Sequence, residues 1–364
     1  MRIGIDATIL TRPLTGVGIY TARLVEALVS VAPEDSVFLF AHQPIEGLPK
    51  GLPVRVITSP ASNQHTFLQF KLPKLLIKYG IDILHGPNFY LPLFGKTPSV
   101  VTVHDLSAQL FPEQHTFRHR LSQKFLGPSL KKAKKIIAVS NATSSDIFRF
   151  FPRYRSKVVV VYNGVHPIFK PATPEEEDEI FIRYNLPDNF LLYVGTLEPR
   201  KNVHRLVGAF ARASDRLPET KLVIAGPEGW LYDEVFVRIR ELNIVDEVIF
   251  IGYVPFEDLP ALYSAARVFC YPSLYEGFGL PPLEAAACGT PVVSSDRSSI
   301  PEIMRDAALL VNPMDIEALA YAIVKAFSDE NLRQELINKG YERAANFKWE
   351  ECARKTLAIY KELL

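Results

Sequence analysis

The stretch RVFCYPSLYEGFGLPPLEAAACGTPVVSS, residues 267–295, decides the fold. Its two ends, RVFCYP and TPVVSS, are apolar on nearly every residue, the pattern of strands buried on both faces. Between them the glycines make a loop, Pro281 and Pro282 start a short helix, and Gly289 ends it. Strand, loop, helix and second buried strand form the unit from which covered parallel sheets are built. The same alternation continues outward. RIGIDA, SVFLFA, DILHG, SVVTVH, KIIAVS and KVVVVYN punctuate the first half, and FLLYVG, KLVIAG and EVIFIG open the second. The chain is therefore expected to be α/β, with doubly wound sheets whose ligands sit beyond the carboxyl ends of the strands.

A chain of 364 residues exceeds what one hydrophobic core usually serves, so two domains are expected. The stretch NGVHPIFKPATPEEEDE, residues 163–179, joins three prolines to an acidic run. It reads as a linker that no continuous helix or strand crosses, separating 1–168 from 169–347. The last segment, FKWEECARKTLAIYKELL, is amphipathic, with Trp349, Cys352, Ala353, Leu357 and Tyr360 on one stripe.

Composition excludes several classes. The opening MRIGIDATIL carries Arg2 and Asp6 and lacks the apolar core and cleavage site of a signal peptide. No run approaches the ~18 apolar residues that span a bilayer. Cys270, Cys288 and Cys352 are far apart, offer neither a disulfide framework nor a zinc site, and fit a reducing cytoplasm. The net charge of +1 hides a split: residues 1–165 hold 20 Lys+Arg against 9 Asp+Glu, and the remainder 21 against 31. The first half is thus expected to meet something anionic. Its densest basic segment, Phe117–Lys135, places Leu121, Phe125, Leu126 and Leu130 near helical spacing. A solvated helix face and a face on an anionic membrane or lipid-phosphate acceptor both fit. No recognised nucleic-acid motif accompanies the charge, so no nucleic-acid partner is expected.

Three strand-to-helix loops carry candidate chemistry. After RIGIDA, Gly16 and Gly18 precede a helix with Tyr20, Leu24, Ala27, Leu28 and Val31 on its apolar stripe. Glycines there let backbone N–H groups approach an anion, although a plain tight turn fits equally. After FLLYVG, the loop TLEPRK delivers Arg200 and Lys201 to a helix start. Two cations there oppose the helix dipole unless an anion, such as a diphosphate, sits between them. In the third loop, Glu276 and Glu284 flank Gly277-Phe278-Gly279, with Glu284 read into the first turn of the helix that follows.

These residues carry a resemblance. Glu276, seven intervening residues and Glu284 match the E-x7-E element of retaining glycosyltransferases of family 4. GTLEPRKN resembles their donor-phosphate loop and TGVG their N-terminal glycine loop, while Val103–Asp105 and Tyr162–Val165 match two further motifs. The resemblance runs from Arg2 to the end. It implies a GT-B fold, with an N-terminal acceptor-binding domain (1–168 plus the returning helix in 348–364), a C-terminal nucleotide-sugar domain (169–347) and catalysis between them. By position, Arg200 and Lys201, with Gly195 before them, would hold the donor diphosphate, and Gly16 and Gly18 would approach it from the other domain. Glu284 would accept from ribose hydroxyls, and Glu276 would lie near the donor sugar. Phe278, Gly279 and Leu280 would present backbone amides, and His104 would face the transferred sugar. Gly252–Pro255, with Tyr253 and Val254, would hold the base.

No D-x-D sequence occurs, so no metal or other cofactor is expected, Arg200 and Lys201 taking the metal's place. The family implies retention. Glu276 is the nearest candidate nucleophile, and same-face attack without a covalent intermediate is an equal alternative. The opening GIDATILTRPLTGVGIYTARLVEAL resembles bacterial mannosyltransferases of polysaccharide assembly, which puts GDP-mannose first as donor and UDP-hexoses next, with a glycan or lipid-linked acceptor. An epimerase or a non-catalytic sugar-nucleotide binder of the same architecture are the rival readings. Alanine at Arg200 or Lys201 is expected to abolish transfer with little change in thermal stability.

Overall fold

The computed structural model describes residues 1–12, 14–49, 51–115 and 123–364. The chain divides into two compact units: Met1–Gly164 with Lys348–Leu364, and Val165–Phe347. Among the described residues the first holds seven parallel strands: β1 (Arg2–Asp6), β2 (Ser36–Ala41), β3 (Val54–Thr58), β4 (Ile83–Gly86), β5 (Ser99–Val103), β6 (Lys135–Ala138) and β7 (Val158–Val160), in spatial order 3-2-1-4-5-6-7. The second holds six: β8 (Phe190–Val194), β9 (Lys221–Ala225), β10 (Val248–Gly252), β11 (Val268–Tyr271), β12 (Val292–Ser295) and β13 (Leu309–Val311), in order 10-9-8-11-12-13. Both are doubly wound α/β sheets. Strand order reverses between β1 and β4 in one and between β8 and β11 in the other, and loops leaving such neighbours diverge to leave a crevice for ligands.

Two strands escaped the sequence reading, β3 and β13, and both lie at sheet edges. An edge strand has a neighbour on one side only, so it need not be apolar throughout. VRVIT of β3 is half-exposed and carries Arg55. The expected linker also needs correction. The chain passes between the units at Gly164 and Val165, but the acidic run that follows is a helix, Pro174–Tyr184. Pro174 occupies its first turn, Thr173 and Glu176 form a reciprocal capping box, and Glu175–Glu177 complement the dipole. What looked like a breaker is a start signal.

The C-terminal helix, Trp349–Glu362, packs in the first unit against the helix Gly16–Val31. Trp349, Cys352, Ala353, Leu357 and Tyr360 are buried, and Lys135 pairs with Glu362 at 2.7 Å. A buried polar chain fastens it. Tyr360 Oη lies 2.5 Å from His85 Nδ1, His85 Nε2 lies 2.7 Å from Thr102 Oγ1, and Thr102 lies 3.0 Å from Tyr20 Oη. Where the chain returns, a Cβ on Gly164 would stand 2.2 Å from the Trp349 nitrogen, so only glycine fits.

The basic segment is only partly described: residues 117–122 lie outside the described residues. Beyond them Gln123–Phe125 forms a 3-10 turn and Leu126–Lys132 a helix that buries Leu126 and Leu130. No described helix is long and apolar enough to cross a membrane.

Candidate active site

The second unit brings two of the three loops together because they leave β8 and β11, adjacent strands at the point of reversal. From β8 the chain passes Gly195, makes a 3-10 turn over Pro199–Lys201, and enters the helix Val203–Ala213 through Asn202. Asn202 is fully buried with φ +62°, a left-handed conformation that asparagine tolerates. Its Nδ2 donates to the carbonyls of Pro272 (3.1 Å) and Pro313 (2.7 Å), binding this loop to those after β11 and β13. The Leu274 amide donates to the Arg200 carbonyl at 2.8 Å, which completes the seam.

On this seam Glu276 gathers both cations. Its Oε1 accepts from Lys201 Nζ at 2.7 Å, Ser273 Oγ at 2.6 Å and Tyr271 Oη at 3.1 Å, while Oε2 lies 3.1 Å from Arg200. Arg200 also donates to Glu198 Oε1 at 2.5 Å and to the Tyr275 carbonyl at 2.8 Å. Lys201 donates to Tyr271 Oη at 2.6 Å. Both carboxylates are buried. Burial alone would raise the pKa of Glu276, but the charges of Lys201 and Arg200 and the hydrogen bonds from Lys201 and Ser273 outweigh it and hold that pKa at about 2. A carboxylate held below its ordinary 4.5 stabilises the fold above that pH, and the contribution is lost as pH falls toward 2.

Two expectations change here. Arg200 and Lys201 are not an electrostatic conflict awaiting an anion, because Glu198 and Glu276 already balance them charge for charge. Nor can either cation be removed without consequence for stability, since a buried carboxylate would lose a partner. The sequence reading missed Glu198, although it stands two residues before Arg200, and missed Tyr271 and Ser273, which carry no charge to draw attention.

Glu284 also needs correction. The helix begins earlier than expected, at Leu280, so its fifth residue, Glu284, lies in the second turn and no acid stands in the first. Gly279 precedes it with φ +94°, a conformation that other residues rarely adopt, and a Cβ there would also press Ile300 Cδ1 at 2.5 Å. Glu284 is buried and its Oε2 accepts from Tyr263 Oη at 3.2 Å. The Glu276–Phe278 backbone is pinned from outside: Ser299 Oγ donates to the carbonyls of Glu276 and Phe278, both at 2.9 Å, and Ser298 Oγ donates to that of Glu276. Phe278 is buried. Tyr253 is exposed and Val254 buried, in the loop after β10 where Gly252 accepts from the Gly226 amide at 2.7 Å.

In the first unit, Gly16 opens the helix Gly16–Val31, and nothing lies within 4 Å of a Cβ built there. Gly18, two residues on in the same turn, is buried, and a Cβ there would press Leu14 at 3.2 Å. His104 follows β5. Its Nε2–H donates to the Pro87 carbonyl at 2.7 Å, and its ring meets Tyr20 edge-on at 4.7 Å. Burial lowers its pKa against the opposing pull of that hydrogen bond and of Asp105, so the ring is neutral with Nδ1 as its acceptor nitrogen.

Residues 14–168 match the family described as Glycosyltransferase Family 4, and residues 175–343 that described as Glycosyl transferases group 1. The chain is 36% identical to O-antigen chain mannosyltransferase B of Escherichia coli, over 96% of this chain and 97% of that one. It is 31% identical to O-antigen chain mannosyltransferase RfbU of Salmonella typhimurium, over 69% of this chain and 66% of that one. Among solved structures, sucrose-phosphate synthase from Thermosynechococcus elongatus superposes with a TM-score of 0.79 at 26% identity, covering 100% of this chain and 98% of that one. Two Rossmann-like sheets, the loops on them and these relatives agree: the chain is an enzyme of the family 4 glycosyltransferases, with the GT-B fold.

Proposed function

We propose that this enzyme transfers mannose from GDP-mannose to a hydroxyl of a glycan or lipid-linked acceptor, with retention of anomeric configuration and without a metal ion. The observation that carries the donor site is the fixing of Lys201 and Arg200 by Glu276 beside the Gly277–Leu280 loop. Lys201 has three N–H donors, two of which go to Glu276 and Tyr271, leaving the third for a phosphate oxygen. As the glycosidic bond breaks, negative charge grows on the leaving diphosphate. Cations and amides already in place stabilise it without reorganising. The relatives named as mannosyltransferases support the sugar.

Glu276 holds these cations rather than attacking. Four donors occupy its oxygens and its pKa of about 2 makes it a weak nucleophile, which favours same-face attack by the acceptor without a covalent intermediate. Glu284 would accept from ribose hydroxyls, and neutral His104 from a sugar hydroxyl at Nδ1.

Thermal melting with a panel of nucleoside diphosphates in EDTA tests the donor. Saturation at about 100 times Kd adds roughly 2.7 kcal/mol. GDP is expected to raise the melting temperature by about 5–10 °C, in line with roughly 2–4 °C per kcal/mol for a unit of this size. A larger shift with UDP would replace the donor assignment, and dependence of every shift on magnesium would end the metal-free reading.

A further inference from the structure

Glu276 and Glu284 each have a buried tyrosine against them. Tyr271 donates to Glu276, and Tyr263 Oη donates to Glu284 Oε2 at 3.2 Å. Tyr263 is fully buried and belongs to the helix Leu259–Ala265, which follows the loop Gly252–Pro255. Its ring packs edge-on against Phe269 of β11 at 5.3 Å and against Phe169 at 6.0 Å. A phenyl ring would make those contacts equally well. Among the described residues the hydroxyl has Glu284 as its hydrogen-bond partner, so it serves the carboxylate rather than the core. Burial, and after it the charge of Glu284, pushes the phenol well above its ordinary pKa of 10, so it keeps its proton and stands as the donor.

The helices on both sides of this contact are fixed. Asp258, buried just before Leu259, accepts from Arg183 at Oδ1 and from Tyr184 Oη at Oδ2, both at 2.6 Å. Thr290 Oγ1 donates to the Tyr263 carbonyl at 2.6 Å. Ser264 Oγ donates at 3.3 Å to the carbonyl of Cys288, which ends the helix that carries Glu284. The phenol thus has a set place. The carboxylate plane does not set itself, because the last torsion of a glutamate is broad. A donor held on one oxygen fixes that plane, and with it the directions in which both oxygens accept. We propose that Tyr263 is a positioning residue that aims the Glu284 carboxylate at the two ribose hydroxyls of the donor nucleotide. A vicinal diol presents two donors side by side, and a carboxylate meets both only when its plane is turned toward them. The proposal rests on the ribose role given to Glu284 above, and its test reads the two apart.

The test is calorimetry of the full chain in EDTA with GDP, 2′,3′-dideoxy-GDP and GMP, the uridine analogues taking their place where UDP stabilises the chain more. Wild type is expected to bind GDP about 100-fold or more tightly than the dideoxy nucleotide, each hydrogen bond to a charged acceptor contributing about ten-fold or more. In Tyr263→Phe, which keeps the ring that the core packs, that preference should fall by about ten-fold. The preference for GDP over GMP should stay at its wild-type value. A role confined to packing would weaken GDP and its dideoxy analogue alike and leave their ratio unchanged. In Glu284→Ala the preference should be nearly lost, and adding Tyr263→Phe should take nothing further from it. An unchanged ratio in Tyr263→Phe, or a further loss on the Glu284→Ala background, would overturn the proposal. A wild type indifferent to the ribose hydroxyls would remove the role of Glu284 and that of Tyr263 with it, while the ratio of GDP to GMP still reports on the phosphate site.

Discussion

Lys201→Ala is expected to lower kcat/KM for transfer by about 10²–10³ fold, the loss typical of one preorganised donor to a developing anion. It should also cost about 3 kcal/mol of stability, the lower end for breaking a buried pair, because Arg200 still faces Glu276. The two losses separate in a second variant. Adding Glu276→Gln removes the buried negative charge that Lys201 had balanced, so the double variant should regain stability over Lys201→Ala alone. Activity should not return, because the cation facing the diphosphate is still missing. Chemical denaturation and initial rates on the same four proteins give both numbers. A double variant less stable than either single one would mean that Glu276 supports the fold through contacts unrelated to Lys201.

Acid is expected to weaken the first unit well above the pH at which carboxylates protonate. His85 is fully buried in β4, bonded on both ring nitrogens, and burial, followed by the nearby His104, depresses its pKa to about 3. The unfolded chain takes up a proton near pH 6.5 and the folded one does not until about 3. Stability contributed by the neutral ring is therefore complete above pH 6.5 and falls as pH drops, by about 1.4 kcal/mol per unit and roughly 4–5 kcal/mol in all. His104, also lowered by burial, acts in the same sense. Denaturation midpoints between pH 8 and 5 should show this slope before Glu276 begins to contribute. His85→Gln should be less stable at pH 8 but lose stability with acid less steeply, by the share of one proton. Parallel curves for the two proteins would show that the ring does not titrate differently on folding.

Much of this was legible before the structure. Central strands such as IIAV and FLLYV are buried on both faces, so their composition announces them; VRVIT and LLV at the edges answer to one neighbour and do not. The acidic run after Thr173 misled because proline and clustered glutamates mark a helix start as well as a break. Arg200, Lys201, Glu276 and Glu284 could be read as candidates because charge in a loop after a buried strand is conspicuous. Their mutual arrangement could not. It depends on the strand order that sets β8 beside β11 and on Asn202, whose left-handed conformation and two carbonyl partners have no local signal. The same holds for the buried chain from Tyr360 to Tyr20, whose members lie in four separate segments.

The central claim is that Arg200 and Lys201 receive the donor's diphosphate, and the affinity ratio of GDP to GMP tests it most directly. Calorimetry in EDTA should show wild type binding GDP about 100-fold or more tightly than GMP, the second phosphate adding charge-assisted hydrogen bonds to both cations. In Arg200→Met and Lys201→Met that ratio should collapse toward one while GMP binding persists, which also shows that the nucleoside site is intact. A ratio unchanged in both variants would contradict the account.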